Sequence, residues 1–332
     1  MSIQSLTAWG FKFLALTLII SGPALAGEAA NRFVVFGDSL SDPGNYYYLF
    51  GQVSEPPFAP IPSAPYDEHG HRFTNGPTWI EQLTFLRLTE DSGRPAFAKP
   101  GVYTNYAVGR ARARPGAPVF AYYDLGAQVA AFLNDFHGVA PDHTTYVIWI
   151  GANDLDDALA AAQVSTDEST LILQSALVSL ASNIQTLWAA GARSFFVPNL
   201  PDFGLTPAAQ SLGPEGIAGA TQLSTLYNGY LAQTLAQLQA LPDIKITTLD
   251  VFSVLHVVVA HPAAFGILDV QTPCLSFGVT VDPICSYPNT HLFWDAIHPT
   301  VAGHVALEEA AGRALRAAPL AAHDEHTKTW PR

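Results

Sequence analysis

Ser39 stands in the run Val34-Val-Phe-Gly-Asp-Ser39-Leu-Ser-Asp42, where a short apolar stretch gives way to a polar turn. A serine at the carboxyl end of a strand has the placement of a nucleophile. Its hydroxyl is weak without a base, an orienting carboxylate and donors for an oxyanion. Toward the other end of the chain, Asp295-Ala-Ile-His298-Pro299-Thr300 supplies a carboxylate and an imidazole close enough in sequence to meet within one turn. In that arrangement Asp295 orients His298 and stabilises the imidazolium formed when it takes the serine proton. Candidate donors for the oxyanion are the Ser39 backbone N–H, the Gly109 backbone N–H and the side-chain amide of Asn153, in Gly151-Ala-Asn-Asp154. Each residue has an ordinary reading alone: a helix cap for Ser39, an acceptor of loop amides for Asp295, a packed ring for His298, turn positions for Gly109 and Asn153. Their joint occurrence argues acyl transfer.

Other chemistries lack their signatures. Gly37-Asp-Ser39-Leu-Ser41 has no second glycine of the G-x-S-x-G elbow, which disfavours an α/β-hydrolase. Neither G-x-G-x-x-G nor a Walker-type loop occurs, so no nucleotide cofactor is expected. His69-Gly-His71 lacks the third ligand of a catalytic metal site, and no metal is expected either.

Positioning these residues requires a scaffold with several strand ends on one edge. Strand-like runs recur at Phe33 to Phe36, Tyr103 to Ala107, Tyr146 to Ile150, Phe195 to Val197 and Ile244 to Leu249. Between and after them, Trp79 to Leu88, Leu125 to Phe136, Leu171 to Trp188, Leu223 to Leu241 and Val301 to Leu315 carry apolar residues at helical spacing, the last with Thr300 as N-cap. Strands alternating with helices predict an α/β three-layer α/β/α sandwich around a parallel five-stranded sheet. Such a sheet binds its ligand outside the carboxyl ends of its strands, where Ser39, Gly109 and Asn153 fall.

The chain has 332 residues, 49% of them hydrophobic, enough for a sizeable core. Lys12, the apolar run Phe13 to Ile20 and Ala24-Leu25-Ala26 read as a signal peptide over residues 1–26, leaving residues 27–332 as one secreted or periplasmic domain. Its run is too short to span a membrane, and no later segment reads as transmembrane. Removing Lys12 takes the formal charge from −13 to −14, which repels phosphate backbones and argues against nucleic acid. Arg110, Arg112 and Arg114 read as a solvated loop. Cys274 and Cys285 share a Pro/Gly-rich segment of an exported chain, where a disulfide is the economical reading beside free thiols or an incomplete zinc site. Two irregular segments stand out, Gln52 to Tyr66 and Pro262 to Pro288, each either functional or a stiffened surface insertion.

Phe36-Gly-Asp-Ser-Leu-Ser-Asp42, Asn105-Tyr-Ala-Val-Gly109, Gly151-Ala-Asn-Asp154 and Asp295-Ala-Ile-His-Pro299, in this order, resemble the GDSL family of the SGNH hydrolases, secreted or periplasmic esterases and lipases. The resemblance implies a flavodoxin-like fold, Ser39 as nucleophile, His298 as general base and acid, Asp295 as its orienting carboxylate, and Ser39, Gly109 and Asn153 as oxyanion donors. Arg110 departs from the glycine found there in many relatives. His71-Arg-Phe-Thr-Asn-Gly76 also resembles a family stretch, read here as structure at a helix start. The expected activity is hydrolysis of short- to medium-chain acyl esters. Lysophospholipase or lipid acyltransferase activity and deacetylation of carbohydrates are alternatives, and a catalytically inactive binding protein is the rival of a different class. Tyr46, Tyr47, Tyr48, Phe50, Phe58 and Tyr66 read either as an acyl-pocket wall or as core.

Overall fold

The computed structural model describes residues 32–67, 70–116 and 123–317; the leader expected over residues 1–26 and His69 lie outside them. Four parallel strands, β1 (Arg32–Gly37), β2 (Thr144–Trp149), β3 (Ser194–Pro198) and β4 (Lys245–Leu249), are paired in that order. The expected fifth strand, Tyr103 to Ala107, lies beside β1 as an extended segment and not as a regular strand. Val35 N donates to Thr104 O at 2.9 Å, Tyr106 N to Val35 O at 2.7 Å and Val108 N to Gly37 O at 3.1 Å. Regularity stops there because the Asn105 carbonyl is taken by Ala96 N and the Asn45 side chain. Numbered by their order in the chain, the extended segments run 2-1-3-4-5, and the direction of winding reverses between β1 and β2.

The helices are α1 (Asn45–Phe50), α2 (Trp79–Leu86), α3 (Leu125–Asp135), α4 (Ala152–Ala162), α5 (Thr166–Ala189), α6 (Pro207–Ser211), α7 (Gly213–Leu238), α8 (Val251–Ala260) and α9 (Val301–Ala317). Alternation along the strands divides the core. Val34, Phe36, Tyr146, Ile148, Phe195 and Val197 pack with residues of α3, α5 and α7, whereas Phe33, Val35, Val147, Trp149 and Phe196 pack with α2 and α9. With both faces covered, β1, β2 and β3 need no polar face, which is why they read as largely apolar runs, whereas the edge strand β4 is only partly buried and carries Lys245, Thr247 and Thr248.

Two helices begin earlier than their apolar periodicity. α5 starts at Thr166 because Ser165 Oγ accepts the Glu168 N–H, adding a polar first turn ahead of Leu171. α7 starts at Gly213, with proline in its first turn.

Candidate active site

Strand β1 delivers Ser39 to the point where the winding reverses. Gly37 pairs with Trp149, so the turns that follow β1 and β2 lie side by side. Asp38 shapes the first turn: its Oδ1 accepts the Leu40 N–H at 3.1 Å and its carbonyl accepts the Ser41 N–H at 3.0 Å. Asp42 closes it by accepting the Gly44, Asn45 and Tyr46 N–H groups, which starts α1. Ser41 Oγ accepts the Trp79 indole N–H at 3.0 Å. Ser39 itself is left half-buried at the crest.

His298 Nε2 lies 2.8 Å from Ser39 Oγ, and His298 Nδ1 lies 2.7 Å from Asp295 Oδ2. Asp295 is fully buried and has four donors. Oδ1 accepts the Ile297 and His298 backbone N–H groups at 2.9 and 2.7 Å; Oδ2 accepts the Tyr66 hydroxyl at 2.6 Å as well as the imidazole. Burial pushes the Asp295 carboxyl up, but the His298 charge and the hydrogen bonds from His298 and Tyr66 outweigh it, and the carboxyl sits below its ordinary value. Burial and the Asp295 charge hold the Tyr66 hydroxyl far above its ordinary value, so it remains a donor.

The segment carrying Asp295 and His298 has little regular structure of its own, and other parts of the chain clamp it. The Phe73 ring packs against the imidazole with centroids 5.4 Å apart. Thr74 Oγ1 donates to Pro299 O at 2.7 Å, and Asn75 Oδ1 accepts the Val301 N–H at 2.7 Å. Thr300 Oγ1 donates to His291 O at 2.7 Å and accepts the Gly303 N–H at 3.4 Å, at the start of α9. Cys274 and Cys285 form a disulfide, and Cys274 N and Leu275 N donate to Phe293 O and Trp294 O at 3.0 Å each. The His71 to Gly76 stretch, read from sequence as structure at a helix start, therefore contributes to the histidine's surroundings.

The three expected oxyanion donors differ in their engagement. Among the described residues the Ser39 N–H donates to no protein acceptor. Asn153, half-buried at the start of α4, gives one side-chain N–H to Ala111 O at 2.9 Å, which fixes the amide and leaves it a second N–H. Gly109 departs from expectation: its N–H goes to Asp42 Oδ2 at 2.7 Å. A buried carboxylate requires donors, and Asp42 recruits this one beside those of α1. Glycine is still needed at position 109, where a β-carbon would lie 2.2 Å from the Phe73 ring. At Gly151 a φ of 125° and the Tyr227 hydroxyl, 2.3 Å from where a β-carbon would lie, also call for glycine.

Two further carboxyls are buried under the serine. Burial pushes Asp38 up to about 7 against the pull of the Leu40 N–H and the His298 charge, and its Oδ2 has no hydrogen-bond partner. Burial likewise pushes Asp42 up to about 7 against its backbone donors. The basic loop is not simply solvated. Arg112 forms a two-pronged ion pair with Asp157 at 2.6 and 2.8 Å, and Arg114 pairs with Asp154 and Asp157. Asp154 also accepts the Ala113 N–H at 2.7 Å, which ties the loop to α4 beside Asn153.

The aromatic residues resolve mainly into support. Tyr46 packs against Phe50 and Phe73; Tyr66 packs against Phe58 and Trp294, next to the disulfide; Tyr47 stacks on His71 at 3.5 Å; Tyr48 is exposed. Sequence reasoning offered Tyr66 only as acyl-pocket wall or core, and assigned no site role to Phe73 or Asp42. Among the described residues no group of three or more His, Cys, Asp or Glu could hold a metal, and no helix is long and apolar enough to cross a membrane.

Residues 33–311 match the family model described as GDSL-like lipase/acylhydrolase. A phosphatidylcholine-sterol acyltransferase of Aeromonas hydrophila is 27% identical, covering 91% of this chain and 95% of its own. A GDSL esterase/lipase of Arabidopsis thaliana is 26% identical, covering 86% of this chain and 87% of its own. An acetylxylan esterase from Geobacillus stearothermophilus aligns in structure with a TM-score of 0.44 and 14% identity, over 86% of this chain and 94% of that one.

Proposed function

The chain belongs to the GDSL-like lipase/acylhydrolase family and is a carboxylic ester hydrolase; from that premise we propose that it works through an acyl-Ser39 intermediate on short- to medium-chain acyl esters. The observation that carries the reading is the unbroken chain from Ser39 Oγ through both nitrogens of His298 to the buried Asp295, at 2.8 and 2.7 Å.

In this mechanism Ser39 Oγ attacks the ester carbonyl while His298 Nε2 takes its proton, and Asp295 stabilises the imidazolium. The oxyanion is met by the Ser39 N–H and the free N–H of the Asn153 amide; Gly109 joins only by exchanging Asp42 for the oxyanion. His298 returns the proton to the departing alcohol, which leaves the acyl group on Ser39. Water, deprotonated by His298, then releases the carboxylic acid. One catalytic domain suffices for these steps. The disulfide supports an oxidising compartment, and with it secretion or periplasmic residence.

A second reading concerns the acceptor. The Aeromonas hydrophila relative is named for acyl transfer to a sterol, and an acyl-Ser39 attacked by an alcohol in place of water would do the same. Stoichiometric labelling by a fluorophosphonate probe, lost in Ser39→Ala, tests the nucleophile; labelling that persists in that variant refutes it. Product analysis with a phosphatidylcholine and a sterol, against water alone, separates hydrolysis from transfer.

A further inference from the structure

We infer that an apolar cavity between α8 and α9 holds the acyl chain of the ester, an inference that rests on Ser39 as the acylated residue. The cavity measures about 60 Å3 and lies past the carboxyl ends of β2, β3 and β4. Its walls include Leu40, Val254, Leu255, Phe293, Ile297 and Leu307. Leu40 follows Ser39 in the chain and Ile297 precedes His298, so the wall begins one residue from each of the two groups that handle the ester.

The chemistry of the lining selects the occupant. No charged side chain lines the cavity. Its one hydroxyl, of Thr206, is taken up by Phe203 O and the Ala209 N–H, so the lining offers a hydroxylated or charged alcohol little to replace its hydration, whereas an alkyl chain loses only unfavourable contact with water. The acyl group also stays on the enzyme through both half-reactions, while the alcohol leaves after the first. A pocket beside Ser39 thus acts on acylation and deacylation alike when it holds the acyl side. One water needs roughly 10–15 Å3, several times less than the cavity offers, so the cavity has room for an alkyl chain of several carbons. That matches a butanoyl to hexanoyl chain better than an acetyl group.

Each methylene transferred from water to such a lining contributes about fourfold to kcat/KM. Val254→Phe places a ring in the half-buried wall, and Leu255→Ala enlarges it. With p-nitrophenyl acetate, butanoate, hexanoate and octanoate, wild type should prefer butanoate or hexanoate over acetate. In Val254→Phe the hexanoate-to-acetate ratio should fall by about tenfold or more, and in Leu255→Ala the optimum should move toward octanoate. Each ratio is taken within one variant, so a general loss of activity cancels. Ratios equal to wild type in both variants overturn the pocket, as does a shift seen only when the alcohol is lengthened at constant acetyl. Ser39→Ala separates the two claims: retained activity there refutes the nucleophile, whereas lost activity with unchanged chain-length ratios refutes only the pocket.

Discussion

Replacing Tyr66 by phenylalanine removes one hydroxyl and little else. The ring keeps its edge contacts with Phe58 and Trp294, so packing behind the site is retained. What is lost is the 2.6 Å hydrogen bond to Asp295 Oδ2, one of four that hold the carboxylate and one of two on the oxygen facing the imidazole. A hydrogen bond to a charged group contributes about 1.5–3 kcal/mol. That bond also fixes the carboxylate in the position that meets the imidazolium, and if a misplaced Asp295 forfeits interaction of this size in the transition state, kcat falls by roughly 10- to 150-fold. The hydroxyl lies behind Asp295 and away from the cavity beside Leu40, so KM should change little. The pH profile gives a readout that a loss of packing does not. Without the Tyr66 donor, Asp295 loses one of the hydrogen bonds that hold its carboxyl low, so its carboxyl moves up and its charge favours a proton on its partner. The acid limb of the kcat profile, measured by steady-state ester hydrolysis from pH 4 to pH 9, should therefore move up in Tyr66→Phe. A kcat within twofold of wild type, with an unmoved acid limb, refutes the positioning role.

Further expectations concern the ground beneath the serine. Asp38 is held near 7 in the folded protein by burial, against an ordinary 3.8, so between these values the native state keeps a proton that the unfolded chain has lost. Stability therefore falls as pH rises through this window, by up to about 4 kcal/mol from Asp38 alone. Chemical denaturation at pH 4 and pH 8 should show a smaller fall in Asp38→Asn, and an unchanged fall contradicts the assignment. Gly109→Ala drives a β-carbon to within 2.2 Å of the Phe73 ring, which packs on His298. It should lower kcat by about tenfold or more, and adding Phe73→Leu should recover part of the loss; a double variant no better than the single one excludes this route. Replacing Cys274 and Cys285 by serine opens a loop of sequence separation 11, and the unfolding free energy should fall by about 3 kcal/mol in a denaturant titration. No change in the midpoint would show that the loop's backbone bonds suffice.

The legible parts of the sequence are those where residue type and local spacing carry the information. Apolar runs marked the four regular strands, and the types of Ser39, Asp295 and His298 pointed to acyl transfer before any geometry was known. Partnerships across the chain were not legible. Tyr66 is 229 residues from Asp295, and nothing local distinguishes it from its aromatic neighbours. Gly109 and Asp42, 67 residues apart, meet through a backbone N–H, which every non-proline residue carries. The early start of α5 is set by Ser165 and a polar first turn, to which hydrophobic periodicity is blind. The arginine loop looked solvated because its acids, Asp154 and Asp157, lie 40 or more residues further on.

The two halves of the site are built by different physics, and this explains why Tyr66 and Phe73, unassigned from sequence, both lie on the Asp295/His298 side. Ser39 is held by a strand hydrogen-bonded on both edges and by a turn whose donors are satisfied locally by Asp38 and Asp42. Asp295 and His298 sit on a segment with no extended hydrogen-bond ladder, so their geometry depends on side chains from elsewhere. Tyr66 comes from the proline-rich segment, Phe73, Thr74 and Asn75 from the stretch before α2, and Cys274 and Leu275 from the disulfide loop. Electrostatic stabilisation works when charges and donors are fixed before the reaction begins, and an irregular segment becomes rigid only when it is over-determined by such contacts. The two irregular segments that looked like possible surface insertions both contribute to that over-determination. Proline in one and a covalent bridge in the other reduce the entropy lost on ordering, which keeps the clamp rigid without a sheet beneath it.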